Sequence, residues 1–371
     1  MVRCRRSYYY CRCCGKGFFP FDQAAGISSR RLTPAAERLA TLAGAVADSF
    51  AKGSELLEDM AAIRLSEATV QRTTQDTGRR LESLLGQGYT FGATVPWEWR
   101  RDAKGRSVAY CTIDATGTRQ QAKDGGKAEG RMAYVAGVYN PAPPDWLRPA
   151  GQAPPPLQAR YLSGLYELAQ MGPLLRRQAA QVGMEQAEVW VVLSDGGNGL
   201  EDFAHANFNR PDLVVILDFY HAASYLEKLA KALHPSDPTQ AKSQAEAWCR
   251  LLKEEGGATT LAVLRTWAWP ARWPAALRQQ WEDTQTYFSK NVHRMEYPEY
   301  EAEGWQIGSG VVESACKTVV GQRLKGAGMR WGEDGAHALC HVRALYRSEK
   351  GQWDAFWKRH YTKRANVQQS K

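Results

Sequence analysis

Two apolar runs, each ending in an acidic residue, decide the fold: Val189-Trp-Val-Val-Leu-Ser-Asp195 and Leu213-Val-Val-Ile-Leu-Asp218. Continuous apolar runs of this length are typical of strands that are buried on both faces of a parallel sheet. Residues 108–114 form a further predicted strand, and it also ends in an acid, Asp114. We therefore expect an α/β protein with acidic residues at the ends of neighbouring strands.

The segments around these runs predict the rest of a mixed sheet flanked by helices. Residues 131–139 are expected to form a strand that pairs with residues 117–121. The proline-rich stretch 141–156 predicts a loop, and a long helix is expected from about 157 to 182. We divide the α/β core into a first part at 89–220 and a second part at 305–350, separated by an all-helical insertion at 221–304. Residues 351–371 are predicted to be a loose basic tail.

The N-terminal segment, residues 1–30, resembles part of a zinc ribbon. Cys11 and Cys14 have the spacing of one zinc knuckle, and Gly15 permits the positive φ of its turn. A closed structural zinc site needs four ligands, and no second pair of this spacing follows. We expect a truncated ribbon whose other knuckle lay upstream of Met1, with Cys11 and Cys14 as candidate Zn²⁺ ligands. The alternative is a reduced cysteine cluster without metal.

Residues 31–88 are predicted to form a small helical domain. Thr33-Pro34 and Ser66 are helix-start signals. The last helix carries Arg72 and Arg79 on its outer side, so a helix-turn-helix-like DNA-binding domain is one interpretation. A plain helical bundle with a solvated basic face is the other.

Composition indicates a folded protein with a polyanionic partner. The chain has 371 residues, 44% of them hydrophobic, and a formal net charge of +9. This composition excludes global disorder, and the charge suits nucleic acid, although a basic enzyme without such a partner has the same totals. No run approaches the roughly 18 apolar residues of a membrane helix, and no secretion signal is evident. We expect a cytoplasmic protein that does not bind membranes.

Three acids are candidate ligands for catalytic metal ions: Asp114, Asp195 and Glu313. Two follow predicted strands, and Glu313 lies near the start of a helix. Strand ends of an α/β sheet open into a common crevice, where carboxylates suit Mg²⁺ or Mn²⁺. Two such ions can hold the attacking and leaving oxygens of a phosphoryl transfer. Taken singly, each acid is also explained as a turn residue or a helix-start residue.

Several longer motifs resemble the DDE transposases of ISKra-type bacterial insertion sequences. The resemblance covers nearly the whole chain. Its most specific part is the pair of blocks Gly304-Trp-Gln-Ile-Gly-Ser-Gly-Val-Val-Glu-Ser-Ala-Cys-Lys317 and Arg323-Leu-Lys-Gly-Ala-Gly-Met-Arg-Trp331. The remaining similar stretches are Arg5-Arg-Ser-Tyr-Tyr-Tyr-Cys11, Thr112-Ile-Asp-Ala-Thr-Gly117, Leu217-Asp-Phe-Tyr-His-Ala222 and residues 297–300.

The resemblance implies an RNase H-like core, interrupted by a helical insertion ahead of the final catalytic Glu. It implies metal-dependent cutting and joining of double-stranded DNA at the terminal inverted repeats of a mobile element, in a bacterial, nucleoid-associated homo-oligomer. Asp114, Asp195 and Glu313 become the first, second and third ligands of the metal ions. Asp218 and His221 match a further acid-His signature that is expected near the site, and Asp218 is the alternative second ligand.

Basic residues after Glu313 are candidates for DNA contact: Lys317, Arg323, Lys325 and Arg330. Lys317 is four positions from Glu313, so we expect the two on the same face of the helix. Cations at these positions could hold the phosphates of the cut strand. Such contacts fix the position of the DNA but do not read its sequence. A solvated basic face is the alternative interpretation.

Two other functions share most of these features. An RNase H-like nuclease would use the same acids but would not join a freed 3′ end to new DNA. A catalytically inactive transposase remnant would bind DNA without cutting it.

Overall fold

The computed structural model describes residues 5–27, 31–92, 94–122, 129–197, 199–267, 272–349 and 351–366. A short N-terminal hairpin consists of β1 (Tyr9–Tyr10) and β2 (Gly17–Phe18). The main sheet has five strands, which are β3 (Val108–Arg119), β4 (Gly130–Asn140), β5 (Gln158–Gly164), β6 (Val189–Ser194) and β7 (Leu213–Leu217).

The order of strands in the main sheet is β5-β4-β3-β6-β7. β3, β4 and β5 are antiparallel to one another in turn, whereas β6 runs parallel to β3 and β7 runs parallel to β6. The predicted α/β class is confirmed as a mixed sheet flanked by helices, and the predicted pairing of residues 117–121 with 131–139 is confirmed for Gly117 and Thr118.

The described helices, in chain order, are α1 (Pro20–Ala24), α2 (Pro34–Val46), α3 (Phe50–Ala61), α4 (Glu67–Gly86), α5 (Leu168–Gln181), α6 (Leu200–Asn207), α7 (Phe219–Leu233), α8 (Pro238–Thr266), α9 (Ala275–Asn291), α10 (Tyr297–Ala302), α11 (Gly310–Ala315), α12 (Gln322–Leu324), α13 (Glu333–Arg347) and α14 (Gln352–Asn366). A π-helical turn, Cys316–Gly321, joins α11 to α12. Thr33 and Ser66 cap α2 and α4 as predicted, because their side chains accept hydrogen bonds from Ala36 N and Thr69 N.

Two predictions about the sheet are wrong. β3 does not end at Asp114 but continues to Arg119, because its pairing with β4 continues beyond that residue. The helix expected at 157–182 begins only at Leu168. The preceding residues form β5, since pairing with β4 satisfies their backbone polar groups.

Residues 31–88 share a hydrophobic core with the rest of the chain. Ala43, Phe50 and Val70 pack in one buried cluster with Val135 of β4 and Leu339 of α13. Helix α4 approaches α13 so closely that a Cβ on Gly78 would lie 2.1 Å from the carbonyl oxygen of Ala338. The outer face of α4 is therefore the part of this helix that a partner could contact.

The predicted insertion, 221–304, is helical in its described part. Helices α7 to α10 pack against one face of the sheet, where Leu226, Trp248 and Phe288 join the strand residues Val191 and Ile216. Trp269, one of the tryptophans of this segment, lies outside the described residues.

The C-terminal segment is not a loose tail as predicted. Residues from Gln352 to Asn366 form α14, and its Phe356 and Trp357 are 1% and 0% exposed within the core on the opposite face of the sheet. Burial of two aromatic side chains holds this helix in place. Within the described part of the chain, no helix combines the length and the apolar character needed to cross a bilayer.

Candidate active site

Three aspartates lie at one level across three neighbouring parallel strands. In the register of the sheet, Ile113 of β3 is opposite Ser194 of β6, and Ser194 is opposite Leu217 of β7. Each residue of this row is followed in the sequence by an aspartate, and these are Asp114, Asp195 and Asp218. The backbone N–H of Asp218 donates to the carbonyl oxygen of Ser194 at 2.9 Å, which holds the two strand ends together. The sheet therefore brings the three carboxylates to one crevice.

Glu313 reaches the same crevice from the first turn of α11. Its carboxylate lies within hydrogen-bond reach of Asp218 and close enough to Asp114 for their charges to interact. Ser309 connects the two elements, because its hydroxyl donates to Asp218 Oδ2 and lies 3.4 Å from Glu313 Oε1. The structure thus places the three predicted ligands and Asp218 in one acidic cluster.

Burial and neighbouring acids raise the pKa of Glu313 and of Asp114. Burial, and next the charges of Asp218 and Asp114, raise the pKa of Glu313. The pKa of Asp114 is raised first by burial and then by the charge of Asp195, while the N–H of Ala115, at 2.6 Å from Oδ1, opposes this. A bound cation is stabilised most where neighbouring carboxylates destabilise one another's charged forms.

Asp195 and Asp218 differ in how their oxygens are engaged. Asp218 is 2% exposed and caps α7, with Oδ1 accepting from Tyr220 N at 2.8 Å and Oδ2 accepting from Ser309. Asp195 is half-buried, and its Oδ1 accepts from Gly197 N at 2.9 Å. Among the described residues, Asp195 Oδ2 accepts no hydrogen bond.

His221 lies beside the acidic cluster, as predicted. Its charge acts on Asp114 and partly opposes the rise in the pKa of that carboxyl. The ring is half-buried, with centroids 6.0 Å from Tyr225 and 5.8 Å from Tyr287. Only its backbone N–H faces Asp218, at 3.5 Å from Oδ1, so the imidazole does not hold that carboxylate.

The helical insertion contacts the loop that carries Asp195. A Cβ on Gly196 would lie 2.4 Å from the ring of Tyr287, which belongs to α9. The rings of Tyr287 and Tyr225 stack with centroids 4.0 Å apart. Glycine at position 196 therefore lets the insertion pack directly against the backbone next to Asp195.

The four basic residues after Glu313 are not equivalent. Lys325 donates to Thr116 Oγ1, two residues beyond Asp114, and Lys317 and Arg330 are exposed. The predicted DNA contact of Arg323 is wrong. Its side chain is 2% exposed, donates to the Gly44 carbonyl at 3.1 Å and packs over aromatic rings, so DNA cannot reach it.

The other predicted DNA and metal residues are accessible. Arg72 and Arg79 are exposed on the outer face of α4, where Arg79 pairs with Asp76. Cys11 and Cys14 are exposed on the turn between β1 and β2. Gly15 has the positive φ expected of this turn, +64°, and its N–H donates to the carbonyl of Cys11 at 2.9 Å. Cys4 lies outside the described residues.

Sequence reasoning missed two side chains of the acidic cluster. Ser309 and Cys316 lie four residues before and three residues after Glu313, spacings that place side chains near one another on a helix. The Cys316 thiol donates to Asp114 Oδ2 at 3.4 Å, and Ser309 connects Asp218 to Glu313. The helical spacing could have indicated both.

It also missed a tighter group away from the acids, formed by Glu82, His337 and His341. Within the described residues, this is the set of potential metal ligands whose atoms all lie within 4.8 Å of one another. However, the N–H of Leu165 donates to His337 Nδ1 at 2.9 Å. A neutral histidine then carries its proton on Nε2, which faces Glu82 at 3.1 Å. The group therefore acts as a hydrogen-bonded connection between α4 and α13.

No protein-family model matches the chain, and no curated protein matches it. Its function is therefore inferred from the fold and from the geometry of the acidic cluster.

Proposed function

We propose that the chain is a DDE-type DNA transposase of the ISKra kind, which cleaves DNA at the terminal inverted repeats of an insertion sequence and transfers the freed strand. The observation that carries the proposal is the row of Asp114, Asp195 and Asp218 across three parallel strands, with Glu313 placed over it by α11. A mixed five-stranded sheet with helices on both faces is consistent with the RNase H-like core that the resemblance implies.

The donor set of the crevice fits Mg²⁺ or Mn²⁺. Its side chains offer hard carboxylate oxygens, and burial together with the neighbouring negative charges raises the pKa of Asp114 and Glu313. Two such ions about 4 Å apart can hold the attacking and leaving oxygens of a phosphoryl transfer. Bound ions would supply charge stabilisation at the attacking and leaving oxygens of the phosphoryl group.

Asp114, Asp195 and Glu313 are the proposed ligands, and Asp218 is a positioning residue. Asp195 has an oxygen that no described residue engages, whereas both oxygens of Asp218 accept hydrogen bonds within the protein. Asp218 therefore anchors α7 and, through Ser309, the start of α11. In this role it fixes the distance between Glu313 and the sheet.

Basic side chains near the crevice would hold the DNA. Lys325 lies next to Thr116 on the strand that carries Asp114, and its charge acts on the neighbouring Cys316. Lys317 and Arg330 are exposed on the segment that follows Glu313. Contacts from these cations to phosphate oxygens would place the scissile phosphate at the carboxylates.

A strand-transfer assay tests this function. The substrate is a labelled duplex that ends in the inverted repeats flanking the coding region, with Mg²⁺ or Mn²⁺ and a supercoiled target. We expect cleavage at the repeat end and joining of the 3′ end to the target. Asp114→Asn should abolish both reactions and retain DNA binding, because the amide keeps the shape of the side chain but removes its charge.

The outcomes separate the competing functions. Cleavage without joining would support an RNase H-like nuclease instead. DNA binding without cleavage in either metal would indicate a catalytically inactive remnant. If Asp114→Asn cleaves as well as the unmodified chain does, the acidic cluster is not the active site.

A further inference from the structure

An apolar groove of about 660 Å³ lies between α7 and α8. A short turn joins the two helices, so they run antiparallel and the groove has a turn end and an open end. Its floor consists of the small side chains of Ala223, Ala241 and Ala245, together with the Cys249 thiol. Side chains of this size leave a channel along the helix pair that no described residue fills.

The two rims of the groove carry their charges in two bands. Burial, and next the charges of Glu227 and Glu246, raise the pKa of the Cys249 thiol to about 11, so both carboxylates lie near the same point of the groove. Lys231 and Lys242 form a basic band four residues nearer the turn end on their helices. Each band therefore places like charges on opposite rims, and the bands are about 6 Å apart along the groove.

These charges are available to a partner. All four side chains are exposed, and among the described residues Glu227 and Lys231 form no ion pair. Lys242 and Glu246 are 3.8 Å apart at highly exposed positions, where such a pair contributes little. DNA is a poor occupant, because its phosphates would meet the acidic band. An occupant that fits has its own acidic and basic bands in the reverse order.

We propose that the groove is a dimer interface that takes the α7–α8 pair of a second copy of the chain. A two-fold axis perpendicular to the helices reverses the direction of the second groove, which gives an isologous contact between two helix pairs. The acidic band of each copy then faces the basic band of the other. A parallel arrangement would set acid against acid. This inference does not rest on the proposed function, because it concerns the chain without DNA or metal ions.

The ends of the groove match in the same arrangement. Tyr220 lies at the open end with a side chain that is 65% exposed, and Pro235 and Pro238 line the turn end. The rotation brings the exposed ring of one copy towards the prolines of the other, which removes apolar surface of both from water. The net charge of +9 opposes the association of two copies, so a contact between them needs local complementarity of this kind.

Sedimentation of the full chain over a concentration series, without DNA, tests the interface. The unmodified chain should dimerise. One variant carries Glu227→Lys and Glu246→Lys, and the other carries Lys231→Glu and Lys242→Glu. Each variant alone should dimerise at least about 100-fold more weakly, because like charges then face one another in both bands. Both should stay folded, since the four changes are at exposed positions.

A mixture of the two variants gives the most specific result. One variant has four lysines along its groove and the other has four glutamates, so opposite charges meet in both bands. The mixture should form a heterodimer about as strong as the unmodified dimer. A control chain with Glu55→Lys and Glu58→Lys has the same change in charge at exposed positions of α3, and it should dimerise like the unmodified chain.

Three results would overturn the interface. The first is a chain that stays monomeric at every concentration. The second is a dimer that both charge-reversed variants retain. The third is a mixture that fails to associate although each variant keeps the helical circular dichroism of the unmodified chain. Each of these would assign the groove to an occupant other than a second copy.

Discussion

Ser309→Ala should disturb the position of Glu313 while the rest of the protein stays folded. Ser309 is 4% exposed, and its hydroxyl donates to the buried Asp218 carboxylate. A hydrogen bond to a charged group contributes about 1.5–3 kcal/mol, so we expect the variant to lose about 2 kcal/mol of unfolding free energy. The remaining donor to Asp218 Oδ1, the N–H of Tyr220, prevents a larger loss.

The effect of Ser309→Ala on catalysis should exceed its effect on stability. Ser309 also lies 3.4 Å from Glu313 Oε1, at the start of the helix that carries this ligand. Without the hydroxyl, this helix start loses its hydrogen bond from Ser309 to Asp218. A misplacement of about 1 Å in a reacting group lowers rates about 100-fold. We therefore expect cleavage to be about 10- to 100-fold slower, with a higher metal concentration needed for half-maximal rate.

Urea denaturation and metal titration of the cleavage rate measure the two effects. Ser314→Ala is the matched control, since Ser314 is exposed on the same helix and its loss should change stability by less than about 0.5 kcal/mol. Suppose that Ser309→Ala matches this control in both stability and metal dependence. Then Ser309 does not connect Glu313 to Asp218 in the functioning protein.

Three further predictions follow from burial and charge. Arg323→Ala should lower the free energy of unfolding by about 2–4 kcal/mol without changing the salt dependence of DNA binding. Lys325→Ala should reduce the slope of log affinity against log salt concentration by about one, with little effect on stability. The reverse result would restore Arg323 as a DNA contact. Burial holds the pKa of His341 well below its usual value. Because the unfolded state therefore binds the proton first, the free energy of unfolding should fall as pH drops below about 6.5, by up to about 1.4 kcal/mol per pH unit. Denaturation at pH 7.5 and 5.5 should show this loss reduced in His341→Asn but kept in His205→Asn, a surface control. Phe356→Ala should cost about 3–5 kcal/mol in the same denaturation assay; a loss below 1 kcal/mol would mean that α14 is not anchored.

The sequence predicts four strands of the main sheet and misses β5. The apolar runs before Asp195 and Asp218 identify β6 and β7, because strands buried on both faces need continuous apolar residues. β5 escapes prediction because it lacks a continuous apolar run and its pairing partner, β4, lies about twenty residues away in sequence. Local patterns do not contain such long-range pairings.

The candidate site shows a similar division. Apolar runs that end in acids predict the meeting of Asp114 and Asp195, because the preceding residues Ile113 and Ser194 are partners in the parallel pairing of β3 and β6. The burial of Arg323 could not be predicted, because it depends on Gly44 and Phe50 from a distant part of the chain. A basic residue close to an acidic motif therefore indicates DNA contact only when its side chain is also exposed.

A crystal of the full chain soaked in Mn²⁺ would test the central claim most directly, because the anomalous signal locates the ion. We predict a peak about 2.2 Å from carboxylate oxygens of both Asp114 and Asp195, with Glu313 completing the site. A crevice without a peak at saturating Mn²⁺, or a peak only at Glu82, His337 and His341, would contradict the account.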